Sequence, residues 1–409
     1  TPVRIVANCN SAATRRSSGR LTMNMALKLS VTRCLLCAFS ILSAIVTTPL
    51  VSAQDRSAPR NPIWTTPEVG ALPDDEQGRL VRRGRDLVTA TYAHIGPEVP
   101  DIANRYAGNN LACSNCHLQA GTKKFGLPLF GLFGEFPQYS ARSGVEITIE
   151  ERVNSCMARS MNGRVMPAQA PQMNAIVAYL KFLSTGVPPG EKLPGLGAGM
   201  MPELARPASP ANGGVAFKRV CAGCHGTEGL GERRSLPTVD MGYIMPPVAG
   251  PDSFNDGAGM ARLITAANFI HFNMPHGTDY LNPQLTVEEA WDIAAYLVSL
   301  PRPHKEGLDR DFPDLLQKPV DTPYGPYADG FSQQQHKYGP FAPIRDEIAR
   351  LGQSFNTTLD ALERSVEAQR HLVADASHEL RTPIATLRAN IQLLRDAASH
   401  SADKTFAQY

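Results

Sequence analysis

Residues 113–117 read CSNCH and residues 221–225 read CAGCH. Both stretches have the C-x-x-C-H spacing, which is the attachment signature of a c-type haem. Two thiols at this spacing reach the two vinyl groups of one porphyrin, and the histidine that follows is held beneath the iron as its proximal ligand. A chance match, a zinc site or a redox pair is the alternative for one copy, but two copies favour two covalently attached haem c groups. The predicted cofactor-binding residues are Cys113, Cys116, His117, Cys221, Cys224 and His225, with the two histidines as iron ligands.

The composition narrows the class of protein that carries these motifs. With 409 residues the chain has room for two or three domains. Its net charge of +2 and its 19% of charged residues argue against a nucleic-acid binder. The 33 glycines and 33 prolines predict many loops, as expected when small helical domains enclose a cofactor instead of a large apolar centre.

The N-terminal region has the pattern of an export signal. Lys28 and Arg33 precede a short apolar run at 35–46, and residues 51–53 offer a small-x-small cleavage site before Gln54. The run is too short to span a bilayer comfortably, although a retained anchor is the alternative. We predict a cleaved signal peptide and a periplasmic protein with no stable membrane span, which agrees with haem attachment outside the cytoplasm. Residues 1–22 fit no part of a signal peptide and are interpreted as upstream sequence read through.

The chain contains an internal duplication of one helical unit. Apolar spacing predicts a closing helix at 171–183 and another from Thr286 to Leu300. Residues 177–180 read VAYL and residues 294–297 read AAYL, 117 positions apart, while the haem motifs are 108 apart. The predicted fold is therefore mostly α, with two tandem class I cytochrome c-like domains.

Further helices are predicted at 74–94, from Thr148 with Glu151 in a capping box, and near 214–219. The stretch between the second haem motif and the last helix is predicted to be a Pro/Gly loop. The predicted organisation is an upstream segment and signal peptide at 1–53, a first haem domain at 54–185, a linker at 186–212, a second haem domain at 213–300, an extension at 301–343 that wraps the second domain, and a helical tail at 344–409.

The second haem needs a distal ligand from the region after its motif. Met274 stands just before the closing helix and is followed by a proline that stiffens the loop. Met245, also followed by a proline, is the alternative, and His271 and His276 are further candidates. We predict His225/Met274 ligation, because a thioether raises the potential of a haem and suits an electron exit.

One cysteine is left over after haem attachment and removal of the signal. Cys156 lies 39 residues after His117, ahead of the closing helix, where a distal ligand of the first haem belongs. Met157, Met161 and Met166 are the rival ligands, and a buried core cysteine is the plain alternative. A thiolate lowers the potential of the iron and is also the nucleophilic form of sulfur. Arginines that could keep it deprotonated and collect an anion are Arg142, Arg152 and Arg159.

Several blocks of sequence resemble those of the dihaem thiosulfate dehydrogenases that form tetrathionate. The resemblance covers about 60–343, and the arginine–cysteine–serine block is its specific part. The blocks are LACSNCH at 111–117, AGT at 120–122, FPQY at 136–139, RSG at 142–144, RVNSC at 152–156, RSMNG at 159–163, NMPHG at 273–277 and YGPY at 324–327.

This resemblance implies an enzyme that oxidises two thiosulfates to one tetrathionate. It implies His117/Cys156 ligation of the first haem, with Arg142, Arg152 and Ser160 at positions that match substrate-contacting residues. Some members have a lysine before the methionine, and here Asn273 stands in that place. We hypothesise that thiosulfate sulfur reacts at Cys156, that a second thiosulfate attacks the adduct, and that electrons pass through the second haem to a small cytochrome or similar redox protein.

Other functions fit two haem motifs. A plain electron-transfer cytochrome would need no role for Cys156, and the cytochrome subunit of a sulfur-oxidising complex would not turn over free thiosulfate. A dihaem peroxidase would need a haem site that opens, which the cysteine block disfavours. Whether oxidation of thiosulfate or reduction of tetrathionate dominates depends on potentials that the sequence does not give.

The tail has a different character. Apolar residues repeat at heptad spacing, and residues 375–383 read DASHELRTP. This stretch resembles the phospho-acceptor box of the sensor histidine kinases, with His378 as the histidine that the resemblance implies is phosphorylated. Because no ATP-binding domain follows and no membrane span precedes it, we interpret the tail as a fragment joined to the cytochrome by a gene-model or assembly accident. The seam residues are Ile348, Leu351, Phe355, Leu359, Leu362 and Val366.

Overall fold

A computed structural model describes residues 64–235 and 241–406, so the predicted signal peptide lies outside the described residues. The prediction of a mostly α fold is confirmed within this part of the chain. The helices are α1 Glu76–Thr89, α2 Thr91–Ile95, α3 Leu118–Gly121, α4 Ile149–Arg159, α5 Pro171–Leu183, α6 Pro210–Val220, α7 Ala222–His225, α8 Leu263–Asn273, α9 Val287–Ser299, α10 Gln333–Tyr338 and α11 Ala342–Phe406. The strands are β1 Gln138–Ser140, β2 Val145–Ile147, β3 Glu232–Arg233 and β4 Tyr243–Met245, paired antiparallel as β1–β2 and β3–β4.

In the first haem domain, α1 packs against α5. A glycine lies at the crossing, because a Cβ on Gly84 would lie 1.9 Å from the carbonyl oxygen of Ala175. The predicted helix at 74–94 is interrupted at Ala90, which has φ −136° and ψ 45° and separates α1 from α2. The Asp75 side chain accepts from the Gly78 backbone N–H and sets the start of α1.

The second haem domain repeats this arrangement with α6 and α9. Here a Cβ on Gly213 would lie 1.7 Å from the carbonyl oxygen of Asp292. Both closing helices have the predicted bounds within one residue, and α9 starts from a capping box between Thr286 and Glu289. The same close crossing in both units supports the duplication seen in the sequence.

The prediction of a loop throughout the region before α9 is wrong, because α8 occupies part of it. This helix is apolar on nearly all sides and is buried against α9 and its neighbours, so it lacks the one-sided pattern that marks a surface helix. Its start at Arg262 also has no side-chain cap. The C-terminal end of α8 delivers Met274, whose N–H donates to the Ile270 carbonyl.

The extension at 301–343 contacts the first domain as well as the second, so the prediction that it wraps the second domain is incomplete. The Phe312 N–H donates to the Arg142 carbonyl at 2.8 Å, and Asp311 binds the guanidinium of Arg159. At its other end, the Tyr338 carbonyl accepts from the Ala208 N–H just before α6. One segment therefore joins both haem domains.

The tail is a single helix of 65 residues, α11. Its first turns are anchored on the second domain, where Ile344 is buried and Arg345 pairs with Glu203. Farther along, seam residues are exposed, with 48% of the Phe355 and 59% of the Leu362 surface accessible. Among the described residues, no helix combines the length and apolar character needed to cross a membrane.

Candidate functional site

The first pocket is enclosed by α4, α5 and the CSNCH motif. The N–H of Cys113 donates to the Thr91 hydroxyl at 3.1 Å, and the Asn115 side chain accepts from the Ala112 N–H at 2.7 Å, so the motif is fixed against α2 and on itself. The lining residues include Cys113, Cys116, His117, Leu129, Arg152, Cys156, Met157, Ser160, Met161 and Leu180.

Both motif histidines have the orientation that an iron ligand requires. His117 Nδ1 lies 2.5 Å from the Leu127 carbonyl oxygen, and His225 Nδ1 lies 2.8 Å from that of Pro246. A carbonyl only accepts hydrogen bonds, so each Nδ1 carries the proton and Nε2 is left as the coordinating atom. With two thiols beside each imidazole, the residues present fit a haem c in each pocket. Within the described residues, no three His, Cys, Asp or Glu side chains cluster closely enough to hold a metal ion.

Cys156 lies in the first pocket on α4, whose start is fixed by the predicted capping box of Thr148 and Glu151. Arg152, one turn earlier, donates from Nη1 to the Cys156 sulfur at 2.9 Å. Burial raises the pKa of this thiol, but the charge and hydrogen bond of Arg152, together with a contact to His117, outweigh burial and lower the pKa to about 6. His117 therefore lies close to the same sulfur.

The thiols of the haem motif have the opposite electrostatic environment. Burial raises the pKa of Cys113 to about 11 and that of Cys116 to about 12. The first pocket thus contains one sulfur that favours the thiolate and two that favour the thiol. This contrast agrees with two thiols that form thioethers and one that serves another purpose.

The four predicted catalytic residues do not all meet in one pocket. Cys156, Arg152 and Ser160 line the first pocket together. Arg142 lies outside this lining, where its Nη1 donates to the Gly257 carbonyl at 2.9 Å. Arg159 donates to the same carbonyl at 3.1 Å, so the two arginines form a cationic pair next to α4.

Asp311 holds this arginine pair and was missed by the sequence reasoning. Its carboxylate binds Arg159 Nη2 at 2.6 Å, lies 3.8 Å from Arg142 Nη1 and accepts from the Tyr324 hydroxyl at 2.7 Å. Burial and then the charge of Arg159 lower the pKa of Arg142, against the opposing effect of Tyr324 and Asp311. Asp311 lies in an extension without a periodic pattern. The only sequence signal that could have indicated it is a group of acidic residues within this Pro-rich segment.

The second pocket keeps both methionine candidates. Met245 and Met274 line it together with the CAGCH cysteines and His225, as does the exposed His276. His271 lies on α8 outside this lining, and the Asn273 amide donates to the Phe125 carbonyl at 2.9 Å. Leu111 and Cys116 line both pockets, so the two pockets share a wall.

Comparison with known proteins finds similarity to cytochrome c domains and, in the tail, to a histidine kinase domain. The SoxA/TsdA cytochrome c domain matches residues 103–188, the cytochrome c domain matches 210–301, and the His Kinase A (phospho-acceptor) domain matches 368–409. A thiosulfate dehydrogenase of Psychrobacter arcticus is 38% identical over 258 residues, which are 63% of this chain and 74% of the relative. One from Allochromatium vinosum is 40% identical over 243 residues, 58% of this chain and 84% of the relative.

A solved structure is similar as well. The thiosulfate dehydrogenase (TsdBA) from Marichromatium purpuratum, in its "as isolated" form, matches with a TM-score of 0.54 and 33% identity over 60% of this chain. The match spans about half of that longer chain, 51% of its length. The tail is 53% identical over 57 residues to a signal transduction histidine-protein kinase/phosphatase MprB of Mycolicibacterium smegmatis, 12% of that relative. Both resemblances drawn from the sequence are confirmed.

Proposed function

This chain belongs to the thiosulfate dehydrogenase family of c-type cytochromes, and we propose that it oxidises two thiosulfate ions to one tetrathionate in the first pocket. The observation that carries the proposal is the Cys156 sulfur, which lies in the first pocket 2.9 Å from a guanidinium nitrogen of Arg152 and close to His117. The direction of the reaction depends on potentials, and the same residues would serve the reduction of tetrathionate.

The proposed reaction joins two anions through the cysteine. The Cys156 thiolate and the terminal sulfur of one thiosulfate form an S–S bond and release two electrons. The terminal sulfur of a second thiosulfate then attacks the sulfur that carries the sulfonate, which forms tetrathionate and returns the Cys156 thiolate. When bound, two haems supply acceptors for one electron each, and His117 and Cys156 are the proposed ligands of the first iron.

The arginines reduce the electrostatic cost of this reaction. Two dianions repel each other, and cations beside the reacting sulfur offset that repulsion. Arg152 contacts the sulfur itself and stabilises the thiolate that leaves in the second step. Ser160 offers a hydroxyl inside the same pocket, and Arg142 with Arg159 contributes positive potential at its side.

We propose that electrons leave through the second pocket, which shares the wall of Leu111 and Cys116 with the first. His225 and Met274 are the proposed ligands of the second haem, and a small cytochrome or similar redox protein is the proposed acceptor. Replacing Met274 with alanine should remove the methionine–iron charge-transfer absorption, whereas Met245→Ala should keep it. The reverse result assigns the ligand to Met245.

The proposed location is the periplasm, on the basis of the export pattern at residues 1–53. The domain limits given above remain predictions. The family models for cytochrome c fall within the proposed haem domains except at 186–188, 210–212 and 301, where they extend slightly into the proposed linker and extension.

Turnover of thiosulfate by the purified holoprotein tests the proposed function. Thiosulfate is added to oxidised protein with ferricyanide as acceptor, and tetrathionate is quantified for wild type and Cys156→Ala. We expect turnover in wild type and its loss in the variant, with both haems retained. If neither protein reacts, the chain is an electron carrier or a subunit that needs a partner. If both react equally, Cys156 has no part in the chemistry.

A further inference from the structure

Arg302 is a cation in the second pocket to which the proposed reaction assigns no role. It follows α9 by three residues and lines the pocket that holds the CAGCH motif. One of its nitrogens, Nη2, donates to the Leu297 carbonyl. Its Nε and Nη1 are buried, and neither has a hydrogen-bond partner within the described part of the chain. The guanidinium lies over the Phe254 ring, 4.4 Å from its centroid.

The nearby carboxylate does not satisfy this guanidinium. Asp256 acts on Arg302 through its charge, but its oxygens accept from His304 Nδ1 at 2.7 Å and from the Lys305 N–H at 2.9 Å. Burial lowers the pKa of Arg302 to about 10 in spite of Asp256. Lys337 is a second cation nearby, and burial followed by the charge of Arg302 lowers its own pKa. A buried cation with two open donors is costly unless an anion pairs with it.

We propose that Arg302 binds a propionate carboxylate of the second haem. The proposal rests on the second haem of the proposed function. A guanidinium forms strong, charge-assisted hydrogen bonds to a carboxylate, and the open donors belong to a residue that lines the pocket where this haem fits. A small oxyanion from solvent offers the same chemistry and is the other source to be distinguished.

This contact has a consequence for the potential of the second haem. The oxidised iron carries one more positive charge than the reduced iron. A fixed cation at the edge of the haem therefore disfavours oxidation and raises the reduction potential. Arg302 would thus help to make the second haem the better electron acceptor of the two.

The test measures the reduction potential of each haem in purified full-length holoprotein. Wild type is compared with Arg302→Gln, which removes the charge, and Arg302→Lys, which keeps it. Lys218→Gln is the matched control, because it removes one charge from an exposed position on α6 of the same domain. Haem content is measured first, since one haem in wild type would contradict the proposed function before any variant is considered.

We expect Arg302→Gln to shift the one-electron equilibrium of the second haem about tenfold toward the oxidised form, which is about 59 mV. Arg302→Lys should shift it less, and Lys218→Gln should leave it at the wild-type value. A wild-type potential in Arg302→Gln overturns the proposal. Arg302→Gln could also mature with only one haem. In that case, two haems in Arg302→Lys would support the need for a cation at this position, and one haem in both variants would overturn the proposal.

Titration with sulfate and chloride at constant ionic strength separates the two sources of the anion. A second-haem potential that is independent of the anion in wild type supports the propionate. A potential that follows the anion concentration in wild type but not in Arg302→Gln assigns the site to a free anion and overturns the propionate assignment.

Discussion

The two pockets share a frame and differ on the wall that faces the motif histidine. The closing helix α5 crosses α1 at Gly84, and the closing helix α9 crosses α6 at Gly213. In both pockets, a backbone carbonyl accepts a hydrogen bond from Nδ1 of the motif histidine. The first pocket then presents Cys156 with Arg152, whereas the second presents Met245 and Met274. The duplicated scaffold is the same in both pockets, and the proposed division of roles, chemistry in the first and electron transfer in the second, rests on these differing side chains.

The pockets also differ in which parts of the sequence supply their lining residues and the charges beside them. The lining of the second pocket comes mainly from 217–302, with a few residues of the first motif. The arginines beside the first pocket depend on Asp311, which lies in the extension beyond the second domain. The first pocket, where we propose that thiosulfate reacts, is therefore the one with neighbouring charges that depend on a residue outside its own domain.

Cys156→Met converts the distal wall of the first pocket to the type found in the second, and this change should have the largest effect. We expect thiosulfate turnover to fall by more than about 10³-fold, because the variant has no thiolate to form the S–S bond. The potential of the first haem should rise, since a thioether replaces a thiolate. Steady-state turnover and a potential titration measure both, and turnover above a tenth of wild type would contradict the proposed mechanism.

Arg152→Met removes the cation from the cysteine and should have the next largest effect. We expect kcat/KM for thiosulfate to fall about 100-fold, as for the loss of one charged donor at a reacting atom. Arg152→Lys keeps the charge and serves as the matched variant, with a smaller loss expected. Equal losses in the two variants would mean that the shape of arginine, rather than its charge, is what the pocket requires.

Asp311→Asn tests the dependence of the first pocket on the extension. The pair with Arg159 has little solvent exposure, so we expect the free energy of unfolding to fall by about 2 kcal/mol. Glu203→Gln breaks the more exposed pair with Arg345 and should cost less than about 1 kcal/mol. Thermal or denaturant unfolding of the two holoproteins measures the difference, and equal costs would refute the special role of Asp311.

Removal of residues 353–409 should have the smallest effect on either pocket. The buried Ile344 and the pair of Arg345 with Glu203 lie before this point, and seam residues beyond it such as Leu362 are exposed. We expect the free energy of unfolding to change by less than about 0.5 kcal/mol and thiosulfate turnover by less than about twofold. A loss of either haem in the shortened chain would show that the tail belongs to the working cytochrome.

Local patterns in the sequence were sufficient to predict α4 and the two closing helices. The helix α4 was predicted from its capping box, and Arg152 and Cys156 are four residues apart, so they share a helix face. The closing helices had both a regular apolar face and clear end signals. Such features are set by neighbours within a few residues, which is why the sequence displays them.

Other features depend on contacts that no local pattern records. The helix α8 was missed because it is buried on nearly all sides and has no polar face to give it a period. Asp311 was missed because its partner Arg159 is 152 residues away. The choice between the two methionines as the proposed ligand of the second haem was also left open, since Met245 at the end of β4 and Met274 at the end of α8 line the same space.

The position of Asp311 along the chain has a consequence for the order of assembly. A ribosome adds residues from the N terminus at about 5–20 per second, so Asp311 is made about 8–30 s after the arginine that it binds. The CSNCH motif and the helices around it are complete well before that moment. The chain therefore contains every thiol and histidine of the first motif before it contains the counter-charge of Arg159. A chain that ends before residue 311 would keep the residues proposed to hold the first haem and would lack the carboxylate that binds Arg159.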